Sequence, residues 1–290
     1  MSSADSSQGT KNVYGMYDGT LITSAVIKAI SISLALFPAI IAVALTILET
    51  MQFRSFAWTL SATLLIPAST VTAQAPKGIP YIDATTNITF SAWELPAPSD
   101  SDSDSAGSLK FGLALPPTAL ETDATEFIGL LQCTPVNGWC GISLGGSMTD
   151  SLLLVAYADE KADEPADVKH TLRFTTEYSF PGVYKGNSTV MPIRSELGKD
   201  SFTSIFLCRE CLRWAHDGRS GMAATSSGTL DLAYALSSEG LGGDVGCPGE
   251  VALRKHSMQG TWVGFVDEGV VSEKYKDWAG KATDGGSDGC

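Results

Sequence analysis

The chain has 290 residues, of which 44% are hydrophobic and 18% charged, and its 32 Asp and Glu against 19 Lys and Arg give a formal net charge of −13. That balance argues against a nucleic-acid binder, which needs a basic face to displace counterions from phosphates, and it suits an extracellular surface with partners of opposite sign. The first ~75 residues differ in composition from the rest, which leaves about 200 residues for the folded part, enough for one domain.

In chain order, Ala29 to Ile47 is uncharged and about long enough to cross a bilayer. A second apolar run, Phe56 to Pro67, follows Met51-Gln-Phe-Arg-Ser and leads into Ala68-Ser-Thr-Val-Thr-Ala73-Gln-Ala75. A basic start, an apolar middle and small residues at the end are the layout of a secretory signal, with cleavage after Ala73. Residues 1–50 then read as an upstream gene-model extension that is not translated, the alternative being a membrane anchor. The expected organisation is the N-terminal extension 1–50, a signal peptide 51–73, a folded domain 74–270 and a flexible tail 271–290.

The mature region reads as short strands separated by turns. Asn87 to Glu94 alternates apolar and polar residues, the pattern of a half-buried strand. Pro96 to Ser108, with the Asp-Ser repeat Ser99 to Ser105, is a solvated loop. Leu109 to Leu115 is the next strand. Glu126 to Gln132 and Trp139 to Leu144 read as a hairpin around Pro135-Val-Asn-Gly138, and Leu152 to Ala158 as a buried central strand. Val168 to Phe174, Thr189 to Ile193, Phe202 to Leu207 and Thr229 to Leu236 follow, with Pro192 confining the second of these to a sheet edge. Gly240 to Gly246 reads as a flexible loop. Long amphipathic helices are not evident. The fold class is all-β, an antiparallel sandwich.

The six cysteines all lie downstream of the apolar segments, which points to disulfides in an exported domain. Cys133 and Cys140 flank the Pro135–Gly138 turn and could bridge it. Cys208-Arg-Glu-Cys211 lacks the βαβ setting of a redox pair, the second ligand pair of a zinc site and the following His of covalent haem attachment, so it reads as a local structural disulfide. Asn87-Ile-Thr and Asn187-Ser-Thr are glycosylation acceptors. No nucleophile elbow and no pair of carboxylates stands out.

One turn carries more chemistry. Gly145-Gly-Ser-Met148 places a thioether, a soft metal ligand, beside two glycines. Its candidate partners are His170, His216 and His256, and the competing sulfurs are Met191, Met222 and Met258. Residue type and spacing leave His256 and His216 open, and likewise Met148 and Met222.

Several motifs in order resemble the haem-binding cytochrome domain of fungal cellobiose dehydrogenases. They are Phe111-Gly-Leu-Ala-Leu-Pro-Pro117, Thr125-Glu-Phe-Ile-Gly129, Trp139-Cys-Gly-Ile-Ser-Leu-Gly-Gly-Ser-Met148, Asp150-Ser-Leu-Leu-Leu-Val-Ala-Tyr157 and Phe206-Leu-Cys-Arg-Glu-Cys-Leu-Arg-Trp214, with the region around His256. The resemblance implies an immunoglobulin-like β-sandwich carrying haem b, with Met148 and His256 as axial ligands and a disulfide between Cys208 and Cys211. Arg173 and Tyr178, in Arg173-Phe-Thr-Thr-Glu-Tyr178, match a pattern that lies near the haem propionates. The match is looser after His256, where Ser-Met-Gln departs from the pattern and Met258 is a rival sulfur.

A haem held by Met and His moves electrons and leaves no iron position open for oxygen or substrate. The expectation is a secreted, free-standing b-type cytochrome without a flavin dehydrogenase domain. Its donor would be an extracellular flavin dehydrogenase, and its acceptor a copper polysaccharide monooxygenase or, by ferric reductase activity, ferric iron. Two alternatives are a haem-free sandwich module that binds carbohydrate or another surface, and a membrane-tethered reductase component anchored through Ala29 to Ile47.

Overall fold

The computed structural model describes residues 77–95, 107–134, 137–159 and 167–284. The expected extension, signal peptide, most of the Asp-Ser loop and the last tail residues lie outside these. Two six-stranded antiparallel sheets carry nearly all of the fold. The first is formed by β1 (Ile79–Ile82), β2 (Thr89–Leu95), β3 (Ser108–Ala114), β4 (Phe127–Thr134), β10 (Phe202–Arg209) and β9 (Thr189–Leu197), in that order. The second runs β16 (Met258–Phe265), β13 (Thr229–Ser237), β5 (Trp139–Ser143), β6 (Leu153–Asp159), β7 (Asp167–Phe174) and β8 (Gly182–Val183). Every expected strand is present, and β9 does lie at an edge, where Pro192 interrupts no inner ladder.

The inner faces of the sheets enclose the main core. Trp93, Phe111, Phe127, Leu131 and Phe206 from the first sheet meet Ile142, Leu154, Ala156, Leu232, Leu236 and Met258 from the second. Alternation does the sorting: along each strand every second side chain points inward. Phe127 stands edge-on to both Phe111 and Phe206, with centroids 6.3 and 6.1 Å away.

Three expectations change. The strands expected to form a hairpin, β4 and β5, do not pair with each other. β4 pairs with β3 and β10 and β5 with β6 and β13, so the chain crosses from one sheet to the other. The Cys133–Cys140 disulfide is formed, but it ties the two sheets together. Gly240 to Gly246 is not a loose loop, because β14 (Gly242–Gly243) pairs with β15 (Val251–Ala252) as a small hairpin. And residues 271–284 include a short helix, α1 (Tyr275–Ala279), which buries Tyr275 and Trp278 against the outer face of the first sheet beside Phe90, Ile128 and Leu207.

A hairpin missed in the sequence joins β11 (Arg213–His216) to β12 (Arg219–Met222). Its turn residues Asp217 and Gly218 have φ of 48° and 75°. Asp-Gly is the favoured pair for a two-residue turn with both φ positive, so the signal was in the sequence. Cys208 and Cys211 are bonded where β10 ends, and Asn87 and Asn187 are both exposed.

Candidate functional site

The second sheet's outer face carries the candidate site. Gly141 and Ser143 of β5, Leu153 and Val155 of β6, Ala233 and Ala235 of β13, and Gln259 and Thr261 of β16 line a cavity of about 740 Å³. Pockets that bury small organic ligands span about 300–1,000 Å³. The floor can be flat because its central residues are small. At Gly141 a Cβ would come within 2.7 Å of the Leu154 carbonyl oxygen, so nothing larger fits there.

Three loops form the walls, and each brings one expected residue. The β5–β6 loop supplies Met148. Its course is fixed by Ser143, whose hydroxyl donates to the Ser147 carbonyl at 2.5 Å, and by the Thr149 amide, which donates to Ser147 Oγ at 3.2 Å. Gly146 takes φ of +70°, and a Cβ there would press on Asp231 at 3.0 Å. Asp150, also at positive φ, donates its amide to the Thr175 carbonyl and accepts from Trp214 Nε1 on its own carbonyl. The glycine pair is thus needed for the turn that aims the thioether.

The β7–β8 loop supplies Tyr178, with Ser179, Phe180 and Pro181. Thr175 anchors it by donating its hydroxyl to the Glu177 carbonyl at 2.7 Å, and the Ser179 amide donates to the same carbonyl. Tyr178 and Phe180 are 86% and 74% exposed, so two large rings stand at the mouth with no cover. The segment from Leu253 to His256 supplies the third wall. Trp139 Nε1 donates to the Arg254 carbonyl at 3.1 Å, and the Ser257 amide to the Leu236 carbonyl at 2.9 Å, which fixes both sides of His256.

The alternatives left open by residue type are now separated. His170 bonds Ser204 through Nε2 and packs on Phe206, and His216 accepts the Lys185 amide while stacking on Phe174 and Tyr184. Met258 points into the core between the sheets, and Met222 lies on the β11–β12 hairpin with its sulfur 3.6 Å from Arg213. Of these, only Met148 and His256 line the cavity. Burial, then the Lys255 cation beside it, holds the His256 imidazole below its usual value, which favours the neutral form that a metal needs.

Arg173 is not brought into the cavity. It is buried, with Nε donating to Thr171 Oγ1 and Nη2 donating to the Pro248 and Val251 carbonyls at 2.9 Å each. The reason is the small β14–β15 hairpin, unforeseen in the sequence, which folds over this end of the sheet and takes the guanidinium for itself.

A thioether and an imidazole on separate walls of an apolar slot are a soft and a nitrogen donor that would suit a metal carried by a flat organic ring. The described residues contain no cluster of three His, Cys, Asp or Glu that would hold a bare ion. The family described as the cytochrome domain of cellobiose dehydrogenase matches residues 81–277, more than half of the chain. The chain belongs to this family. The solved cytochrome domain of Myriococcum thermophilum cellobiose dehydrogenase is 40% identical, with a TM-score of 0.65 over 71% of this chain and 96% of that one. The cytochrome b domain of pyranose dehydrogenase from Coprinopsis cinerea shares the fold at 23% identity and a TM-score of 0.54, with the same coverages of 71% and 96%. The pyrroloquinoline quinone-dependent pyranose dehydrogenase of Coprinopsis cinerea is 28% identical over 184 residues, 63% of this chain, and the chain spans 22% of that enzyme's length. A cytochrome domain of this family carries b-type haem, and the residues of the cavity fit it: a slot of suitable size, a small-residue floor and a soft and a nitrogen donor on its walls.

Proposed function

We propose that this cytochrome domain carries single electrons through a haem held by Met148 and His256 on the outer face of the second sheet. The observation that carries the assignment is that one apolar cavity is lined by both residues, while His170, His216, Met222 and Met258 are engaged elsewhere. When bound, the haem supplies one-electron redox chemistry at its iron. The chain's own residues do the rest. Met148 and His256 would hold the iron from the cavity walls, leaving no open position for oxygen or substrate, and a thioether ligand would favour the ferrous state. The Gly141, Ala233 and Ala235 floor lets the ring lie against the sheet. Tyr178 is exposed at the mouth, where a hydroxyl could bond a propionate.

The donor we propose is an extracellular dehydrogenase, flavin-dependent or of the quinone-dependent kind found in the relative. The acceptor is a copper polysaccharide monooxygenase or ferric iron. Secretion is supported by the formed Cys133–Cys140 and Cys208–Cys211 disulfides, which persist in oxidising surroundings.

An absorption spectrum tests the assignment. The purified protein should show sharp α and β bands on reduction. Met148→Ala and His256→Ala should each lose the six-coordinate spectrum and open a position for carbon monoxide. A folded protein that takes up no haem would overturn the assignment and leave a binding module on the same sandwich.

A further inference from the structure

The segment that ends in His256 crosses the outer face of the second sheet, and three adjacent strands hold it there with side-chain donors. From β5, Trp139 Nε1 donates to the Arg254 carbonyl at 3.1 Å. From β6, the Tyr157 hydroxyl donates to the Val245 carbonyl at 3.1 Å. From β7, Arg173 Nη2 donates to the Pro248 and Val251 carbonyls, 2.9 Å each. All four acceptors are main-chain oxygens between residues 245 and 254. The segment also holds its own shape. Gly242 and Gly243 pair with Ala252 and Val251, and the Val251 amide donates to the Cys247 carbonyl.

This arrangement is costly unless it has a use. Arg173 and Tyr157 are both buried, and Arg173 meets neutral oxygens instead of a carboxylate. Burying a guanidinium on neutral acceptors is a poor route to stability alone. Its rigid fork does give one thing that an apolar contact cannot: it fixes two carbonyls of one loop at a set spacing. Val251 then packs on Trp139, Val155 and Tyr157, so the loop is keyed to the sheet that floors the cavity.

We propose that Arg173 and Tyr157 are positioning residues that strap the 242–254 segment to the second sheet and thereby hold His256 in place as an iron ligand. This rests on the assignment of His256 above. Arg173 acts through the loop and does not touch the cofactor. The strap fixes the ligand before the cofactor arrives, so the ordering cost of the loop is met in the folded protein and not on binding.

The test compares Arg173→Met, which keeps the apolar stem, Arg173→Lys, which keeps one charged donor, and Tyr157→Phe, which loses one hydroxyl. Each is made as the haem-loaded protein and followed by amide hydrogen exchange and by haem transfer to apomyoglobin. Arg173→Met should speed exchange across 242–256 by about tenfold or more while β10 stays protected, since two hydrogen bonds from a charged donor are lost. Haem transfer should accelerate by a similar factor, with a carbon monoxide-binding fraction appearing, and Arg173→Lys should restore part of both. Tyr157→Phe should show the smaller effect of one neutral bond and guards against a poorly folded Arg173→Met. Unchanged exchange over 242–256, or faster exchange with wild-type haem transfer and spectrum, would overturn the proposal. If His256→Ala keeps the wild-type spectrum, the axial assignment itself has failed, which the exchange data report on separately.

Discussion

At the scale of single residues, Met148 and His170 put their side chains to different uses. Met148 is half-exposed on a loop whose glycines and serines exist to aim it. Replacing it with a second imidazole, Met148→His, should keep a six-coordinate haem but lower the midpoint potential by roughly 100 mV or more, because the thioether favours ferrous iron and a nitrogen base less so; redox titration by absorbance reads this directly. His170 is structural. Its burial, helped by the Lys169 cation and opposed by Asp167, pushes its pKa down to about 4. Between its ordinary value near 6.5 and about 4 the unfolded chain takes up a proton that the folded chain refuses. This contribution to stability is therefore whole above pH ~6.5, falls as the pH drops toward 4, and amounts to something on the order of 3 kcal/mol. Denaturant midpoints between pH 7 and 4 should decline for the wild type and less steeply for His170→Gln.

At the scale of elements, alternation on β5, β6, β13 and β16 decides what each face does. Ala235 faces the cavity while its neighbours Tyr234 and Leu236 face the core. Ala235→Phe should therefore fill the floor and abolish haem uptake, with stability changed by less than about 1.5 kcal/mol because the core between the sheets is untouched; haem titration beside thermal melting separates the two. The same alternation explains what could be read from the chain and what could not. A period of two over Thr229 to Leu236 and an apolar run at Leu152 to Ala158 announce strands by themselves. Which strands pair is a different matter. Pro135-Val-Asn-Gly138 carries every mark of a tight turn in the sequence, yet β4 and β5 lie in different sheets, because each finds its partners elsewhere along the sequence. Turn chemistry reports a change of direction and says nothing of which sheet receives the next strand. Likewise the Arg173 pattern promised a charge near the cofactor, and a glycine-rich hairpin seventy-odd residues later claimed it. As proposed ligands, Met148 and His256 stand out only through motifs in order, since one Met and one His carry no spacing that distinguishes them.

For the molecule as a whole, the covalent tie between the sheets matters more than its short span implies. Cys133–Cys140 closes a separation of seven residues and joins β4 of one sheet to β5 of the other. Removing it as Cys133→Ala with Cys140→Ala should cost about 2–3 kcal/mol, seen as a lower denaturant midpoint with the haem spectrum intact. Beyond stability, the cavity lies on an outer face while the aromatic core lies inside, and the two draw on alternate residues of the same strands. Selection can thus act on one set without disturbing the other. A lineage could discard the cofactor through changes at Met148, His256 or the small-residue floor and still inherit an undamaged sandwich, and an engineer could recut that outer face for another flat pigment while leaving the interior as it stands.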